Sequence, residues 1–259
     1  MATSPEHPAP GALDRTGFEL LRLCAQPGCP VCGFVQATVT HYLDTISYEA
    51  LTDLDARQRL RASLAYCAVH GQQWLSLQHT LGTALIYKDV CNDLRTILAG
   101  PAGGGGAGGS LRAKLQGVFR SGGGGSSGAG PALAAALEPG APCPGCQQTA
   151  TVEGQTVLSC AAALADPAFF AAYAGHPLGL CLPHLRGTLR VIGDAALVQR
   201  VAGAQAARLA TTAAELAEVI RKYDYRFQDE PHGAEFAAPA RSVEQVGGRL
   251  PTQLNPPRA

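Results

Sequence analysis

The stretch GCPVC at residues 28–32 has a near copy, PCPGC, at residues 142–146. After each copy come 34 residues and then a second short motif, CAVH at residues 67–70 and CLPH at residues 181–184. All four Cys/His positions of the second set lie 114 residues after their counterparts in the first set. Two accidental pairs would not share these spacings, so the chain carries the unit CPxC–x34–CxxH twice.

Each copy of this repeated motif contains three cysteines and one histidine, which form a complete ligand set for zinc. Zinc takes four tetrahedral ligands, usually thiolates and imidazoles that arrive as two close pairs from different parts of the chain. We therefore predict two zinc ions in treble-clef-like sites, with each repeat closing its own site. The predicted ligands are Cys29, Cys32, Cys67 and His70 in the first repeat, and Cys143, Cys146, Cys181 and His184 in the second.

Two other interpretations of the cysteines remain open. A CPxC motif is similar to the redox-active dithiol of glutaredoxin-type proteins, although that dithiol follows a strand in a βαβ unit and no strand pattern precedes these copies. The alternative function is therefore a thiol redox protein or redox sensor that uses the two CPxC pairs. Small buried thiols are the other possibility, and they account for Cys24, Cys91 and Cys160, which have no counterpart in the repeat.

The motifs favour a non-catalytic role over enzyme activity. Three thiolates and an imidazole leave zinc no open position for an activated water. No phosphate-binding loop, Ser-His-Asp order or paired carboxylate site stands out, and His176 is expected at a surface or turn. The predicted function is a zinc-binding helical protein whose metal is structural and which interacts with another macromolecule.

Apolar residues recur at helical spacing throughout both repeats, and alternating strand patterns are almost absent. The predicted fold is all-α, with two similar helical lobes and with Asp53 and Asp194 as candidate N-caps. The predicted segments, in chain order, are a disordered N-terminus at 1–17, helical repeat 1 at 18–99, a Gly-rich flexible linker at 100–139, helical repeat 2 at 140–230, and a polar, largely disordered tail at 231–259.

The composition narrows the partners and the compartment. Twenty basic and twenty acidic residues give no net charge, which gives no support to nucleic-acid binding. No apolar run approaches the ~20 residues that span a bilayer, and the N-terminus lacks the pattern of a signal peptide. We expect a cytoplasmic protein with reduced or metal-bound cysteines, and its richness in Ala, Gly and Arg suggests a GC-rich bacterial genome.

The segment RKYDYRFQDEPHGAEF at residues 221–236 follows the last long helix of the second repeat and combines charges with aromatic residues. It is either a helix end stabilised by ion pairs or a docking surface for a protein partner. In the second case the predicted anchors are Tyr223, Tyr225, Arg226 and Phe227.

The duplicated CPxC…CxxH motifs, GLCLPHL at 179–185 and RKYDYRFQDEP at 221–231 together resemble an uncharacterised bacterial family with a domain of unknown function. The similarity covers most of residues 18–236, and the Gly-rich linker looks like an insertion. The resemblance implies a cytoplasmic helical protein with duplicated Cys/His motifs, and it implies no activity.

Overall fold

The computed structural model describes residues 13–99, 129–227 and 229–248, and this part of the chain is all-α. It contains eleven α-helices and one short 3-10 helix at Ala234–Ala237, with no strand in the described ranges. The α-helices are α1 (Arg15–Leu23), α2 (Pro30–Thr52), α3 (Leu54–Ala62), α4 (Ala68–Ser76), α5 (Thr80–Ala99), α6 (Ala129–Ala136), α7 (Pro144–Ala163), α8 (Pro167–Gly175), α9 (Leu182–Val191), α10 (Ala195–Lys222) and α11 (Ala238–Gly247). The predicted fold class is confirmed.

Several helices begin where an aspartate can accept a backbone hydrogen bond. Asp53 accepts from the N–H of Asp55 at 2.8 Å ahead of α3, and Asp194 accepts from the N–H of Ala196 at 2.9 Å ahead of α10. Such side chains satisfy the first N–H groups of a helix, which have no partner inside it. Both aspartates were predicted as N-caps, and the structure confirms them.

The chain divides into two compact units, and these differ from the two sequence repeats. One unit consists of Met1–Val39 and Thr149–Ala259, and the other of Thr40–Gln148. The boundaries fall inside α2 and α7, a few residues after each CPxC motif. Each unit therefore takes residues from both repeats, whereas the sequence predicted lobes at 18–99 and 140–230.

The first unit contains a core of fully buried side chains from α1, α2, α8 and α10 and from the residue that follows α7. These are Leu20, Val31, Leu164, Phe169, Tyr173 and Val201. The second unit is centred on Trp74, which is fully buried, packs on Tyr66 at 5.1 Å between ring centroids, and donates to Thr83 at 2.7 Å. At partly buried positions, Arg57 pairs with Asp89 and Arg61 pairs with Asp93, so α3 is joined to α5.

All three segments predicted as disordered or flexible contain helical residues. The segment 231–259 includes α11, and its residues Ala238 and Gln245 are buried. The sequence of α11 is short and polar and has an early proline. Such a sequence does not by itself predict a helix, because most of the stability of a short helix comes from tertiary packing. Within the predicted linker, residues 129–136 form α6, and within the predicted disordered N-terminus 1–17 residues 15–17 begin α1. Residues 1–12 and 100–128 lie outside the described residues, as do residues 249–259 of the predicted tail.

No single helix of the described chain combines the length and the hydropathy that a membrane span requires. The consecutive helices α7 and α8 meet that threshold only as a pair, across a bend of 108°.

Candidate metal centres

Eight Cys and His side chains form two clusters, and each cluster combines ligands from both repeats. Site one consists of Cys29, Cys32, Cys181 and His184, and site two consists of Cys67, His70, Cys143 and Cys146. The structure thus brings together all eight predicted ligands. The prediction that each repeat closes its own site was wrong, because the CPxC pair of each repeat meets the CxxH pair of the other.

Each of the two CPxC motifs and each of the two CxxH motifs lies at the start of a helix. Helices α2 and α7 begin at the proline that follows the first cysteine of each CPxC motif. Proline is favoured at the first helical position, since its missing N–H would have no partner there. Helices α4 and α9 begin directly after Cys67 and Cys181, which are their N-caps. Each ligand pair therefore occupies the N-cap and the third helical residue.

This placement favours the metal-binding form of the thiols. Free N–H groups and the positive end of the helix dipole stabilise negative charge at a helix N-terminus. At site two the backbone N–H of Cys67 lies 3.4 Å from the sulfur of Cys143. Burial raises the pKa of the Cys67 thiol, but the backbone N–H and ring of His70 outweigh it, and the pKa lies below its ordinary value.

The distances inside each cluster match the edges of a zinc tetrahedron. With Zn–S bonds of ~2.3 Å and Zn–N bonds of ~2.0–2.1 Å, two sulfurs should be about 3.8 Å apart and a sulfur and a nitrogen about 3.6 Å apart. In site one, Sγ of Cys32 lies 3.7 Å from Sγ of Cys181, and Nδ1 of His184 lies 3.1–3.5 Å from the three sulfurs. In site two, the sulfurs of Cys67 and Cys146 are 3.6 Å apart, and Nδ1 of His70 is 3.3–3.8 Å from its three sulfurs.

A carboxylate orients the histidine of site one. Nε2 of His184 lies 3.1 Å from Oε1 of Glu153, while Nδ1 faces the three sulfurs. A metal-binding histidine commonly donates its second N–H to a carboxylate, which selects the tautomer and holds the ring. Sequence reasoning missed Glu153. The signal that could have indicated it is that Glu153 is the one acidic residue in α7.

Site one carries charge even without a metal. Hydrogen bonds with Cys181 and Cys29 hold the pKa of Cys32 far below its ordinary value. Burial opposes a charge on His184, but hydrogen bonds to Cys181 and Cys32 raise its pKa to about 10. The surroundings therefore favour a thiolate at Cys32 beside an imidazolium at His184, and a bound metal ion would displace the proton of the imidazolium.

A buried hydrogen-bond network positions the loop that leads into Cys181. Arg208 donates to the carbonyl of His176 at 2.6 Å and to the carbonyl of Tyr173, and Gln205 donates to the carbonyls of Leu178 and Leu180. His176, expected at a surface or turn, is buried and accepts the N–H of Leu178 at Nδ1. Burial lowers the pKa of His176, which matches a neutral ring that donates from Nε2 to a backbone carbonyl.

The two sites differ in their exposure. All four ligands of site one are buried, and the backbone of Gly248 lies over it, where an added Cβ would be 3.4 Å from Sγ of Cys181 and 3.6 Å from Sγ of Cys32. In site two only His70 is buried, and Cys146 is exposed. Sequence reasoning missed Gly248 because it placed this residue in a disordered tail.

The remaining cysteines are outside both clusters, and none of the nine cysteines forms a disulfide. Burial raises the pKa of Cys24 to about 11 and that of Cys160 to about 12, so both are neutral thiols at physiological pH. Cys91 is exposed, which differs from the expected small buried thiol.

Comparison with known proteins gives one match. No curated protein and no solved structure matches the chain. A family model described as "Family of unknown function (DUF6062)" matches residues 22–253, a range that contains all eight clustered ligands and α11. This match confirms the resemblance to an uncharacterised family that the motifs indicate. The chain belongs to this family of unknown function, DUF6062.

Proposed function

We propose that the protein binds two zinc ions, one in each cluster, and that both ions are structural. The observation that carries this proposal is the set of distances within each cluster, which lie within about 0.5 Å of the edges of a tetrahedron around zinc. Three thiolates and one imidazole are ligands that zinc prefers. Each ion would join segments of the chain that are more than 70 residues apart in sequence.

Closed coordination favours a role other than catalysis. Four protein ligands fill the tetrahedron, so neither ion has a position for a substrate or an activated water. Binding of a structural zinc is worth roughly 10–16 kcal/mol in apparent free energy, which is as large as the whole stability of many domains. Zinc would therefore determine whether each unit folds, and the folded helices would present a surface to another macromolecule.

Exposed aromatic residues at the end of α10 support a protein partner. Tyr223 and Tyr225 are each 78% exposed, and Ile220 is 73% exposed. Arg221 pairs with Glu230, and Lys222 pairs with Glu235, so the segment is held against its own helix. Exposed tyrosines on a held segment are typical anchors of protein interfaces.

The other two predicted anchors have partners within the segment. Arg226 pairs with Asp224 at 2.6 Å, and the Phe227 ring lies 4.5 Å beneath the guanidinium of Arg221. We therefore place the proposed docking contacts on the two tyrosines, with Arg226 and Phe227 as supports.

Metal analysis of protein purified under reducing conditions tests the zinc proposal. We expect about two zinc ions per chain, about one each in Cys32→Ser and Cys146→Ser, and a lower melting temperature in both variants. The control is Cys91→Ser, which changes an exposed cysteine outside both clusters and should keep both ions. A well-folded, metal-free parent that reduces insulin would instead establish the alternative function, a thiol redox protein that uses the CPxC pairs.

Cross-linking in the native host tests the docking proposal. A photo-reactive residue at position 225 should join the chain to one protein, and the joint variant Tyr223→Ala/Tyr225→Ala should abolish binding of that protein after purification. Tyr48 is 63% exposed, so Tyr48→Ala is a matched control that should leave binding unchanged. Equal loss in the control would show that the segment is not the docking surface.

A further inference from the structure

The unequal exposure of the two clusters suggests that they handle zinc differently. Site one is buried and lies beneath Gly248, whereas site two has one exposed and two half-buried cysteines. The cysteines of the two sites are chemically equivalent, but another molecule can approach those of site two more closely than those of site one. This inference rests on the proposed function, since it concerns the exchange of the zinc ions.

A cavity adjoins site two and touches its ligands directly. It has a volume of about 600 Å³, and its lining includes Cys67 and Cys143, which come from the starts of two different helices. The other walls are residues 138–142 and the turn that contains Ser63, Leu64 and Tyr66. The cavity therefore reaches an edge of the ligand set, between a thiolate of α4 and a thiolate of α7.

The walls of this cavity are held in place by hydrogen bonds. The N–H groups of Gly140 and Ala141 both donate to the carbonyl of Ala62, at 2.8 and 3.1 Å. Leu64 and Ala65 have φ angles of 55° and 64°, in the left-handed region that non-glycine residues rarely adopt. Such strain persists where the surrounding structure imposes it, and it often occurs at functional sites. The cavity is thus formed by the fold before any ligand arrives.

One lining residue also lacks a polar partner. The hydroxyl of Tyr66 is buried and makes no hydrogen bond within the described chain, although the residue itself is 8% exposed. Most other walls are apolar, so the cavity suits a small molecule with an apolar body and one or two polar groups.

We propose that site two is an exchangeable zinc site, which gives and takes its ion through this cavity by exchange with a low-molecular-weight thiol, while site one keeps its ion. Zinc has no preferred geometry from its d electrons, so a thiolate that approaches through the cavity would replace a protein thiolate at one of the four ligand positions. A Zn–S bond to the incoming sulfur forms, and the bond to Cys67 or Cys143 breaks. The incoming thiol loses its proton, the departing protein thiolate takes up a proton, and no group is oxidised.

Zinc release from the fully loaded chain tests this proposal. The probe is pyridylazoresorcinol, a coloured zinc chelator, used with and without excess L-cysteine. We expect one equivalent of zinc to leave at least about 10-fold faster than the other, because the shell around a metal controls access to it. L-Cysteine should speed only the fast phase. Cys146→Ser should remove the fast phase, and Cys32→Ser should remove the slow one.

Two variants examine the cavity itself. Ala141→Leu narrows the cavity, so this variant should reduce the acceleration by L-cysteine. Ala99→Leu makes the same change at an exposed position at the end of α5 and should have no effect. Two ions that leave at one rate, or a fast phase from site one, would overturn this inference and leave the proposed function intact. A chain that takes up no zinc would overturn both.

Discussion

At the scale of single residues, Gly145 shows how closely site two is packed. A Cβ at this position would lie 2.4 Å from Cγ of His70 and 2.6 Å from its Cδ2, distances that no pair of unbonded carbons tolerates. The equivalent position in the other CPxC motif is Val31, whose side chain is fully buried in the core of the first unit. The third residue of the CPxC motif therefore has to be small in site two, whereas in site one it is an apolar side chain buried in the core.

We predict that Gly145→Val removes zinc from site two, because the new side chain displaces the His70 ring. Metal analysis should find about one ion per chain in place of about two. The reciprocal variant Val31→Gly is the control. It should keep both ions and lose stability by about 1.5–3 kcal/mol from lost burial, measured by denaturant unfolding. Two zinc ions in a folded Gly145→Val protein would show that His70 is not a ligand.

A second residue prediction concerns Glu153, which lies behind His184. Glu153→Gln retains a hydrogen-bond acceptor but loses the charge, so zinc affinity at site one should fall about 10- to 100-fold. Competition titration with a chelator measures this change. Site two should be unaffected, and Glu49→Gln, at an exposed carboxylate in α2, should leave both affinities unchanged. An equal effect of the two substitutions would mean that Glu153 acts only through surface charge.

The sequence allowed all eight Cys and His residues of the two clusters to be predicted, but not which of them meet in each cluster. The spacing between CPxC and CxxH is the same in both repeats, so it gives no information on which pairs meet. Which pairs meet depends on contacts between residues far apart in the sequence, such as Cys32 and Cys181. Glu153 and Gly248 were missed for the same reason, because each contributes through a partner that only the fold brings near.

At the scale of elements, local signals predicted the helices well. Helix α10 begins after Asp194, and α8 begins at Pro167 after the capping residue Asp166, as cap and proline preferences require. Helix α11 was missed because its composition is polar and its position is set by packing on α9 and α10. The element with the weakest local signal is the one that brings Gly248 over site one.

Substitution of Gly248 tests whether the end of α11 covers site one. The φ of 78° at Gly248 suits glycine, so Gly248→Ala strains the backbone and should move the segment away from Cys32 and Cys181. We predict faster zinc loss from site one in the chelator assay. The control is the neighbouring Gly247→Ala, where an added Cβ meets nothing within 4 Å and helix propensity favours alanine. Identical release rates in the two variants would exclude α11 as a cover.

At the scale of the whole molecule, the repeats exchange their CPxC motifs. Site one joins the first CPxC to the second CxxH, and site two joins the second CPxC to the first CxxH. Symmetric exchange of one element between two copies is the arrangement seen in domain-swapped dimers, here within a single chain. Neither repeat contains a full ligand set in the arrangement that the structure shows.

The segment 100–128 lies between the two repeats in the sequence, so cutting it would separate their peptide chains. A protease site introduced within the Gly-rich stretch 121–127 would yield two fragments, one with Cys29, Cys32, Cys67 and His70 and the other with the remaining four ligands.

We predict that the two fragments stay together while zinc is bound and come apart when a chelator removes it. Each ion has two ligands in each fragment, so both ions hold the fragments to one another, and each binding event is worth roughly 10–16 kcal/mol in apparent free energy. Size-exclusion chromatography with metal analysis measures the association. Fragments produced separately should bind zinc weakly alone and take up about two ions when mixed. If each repeat closed its own site, each fragment would instead keep one tightly bound ion by itself, and mixing would add none.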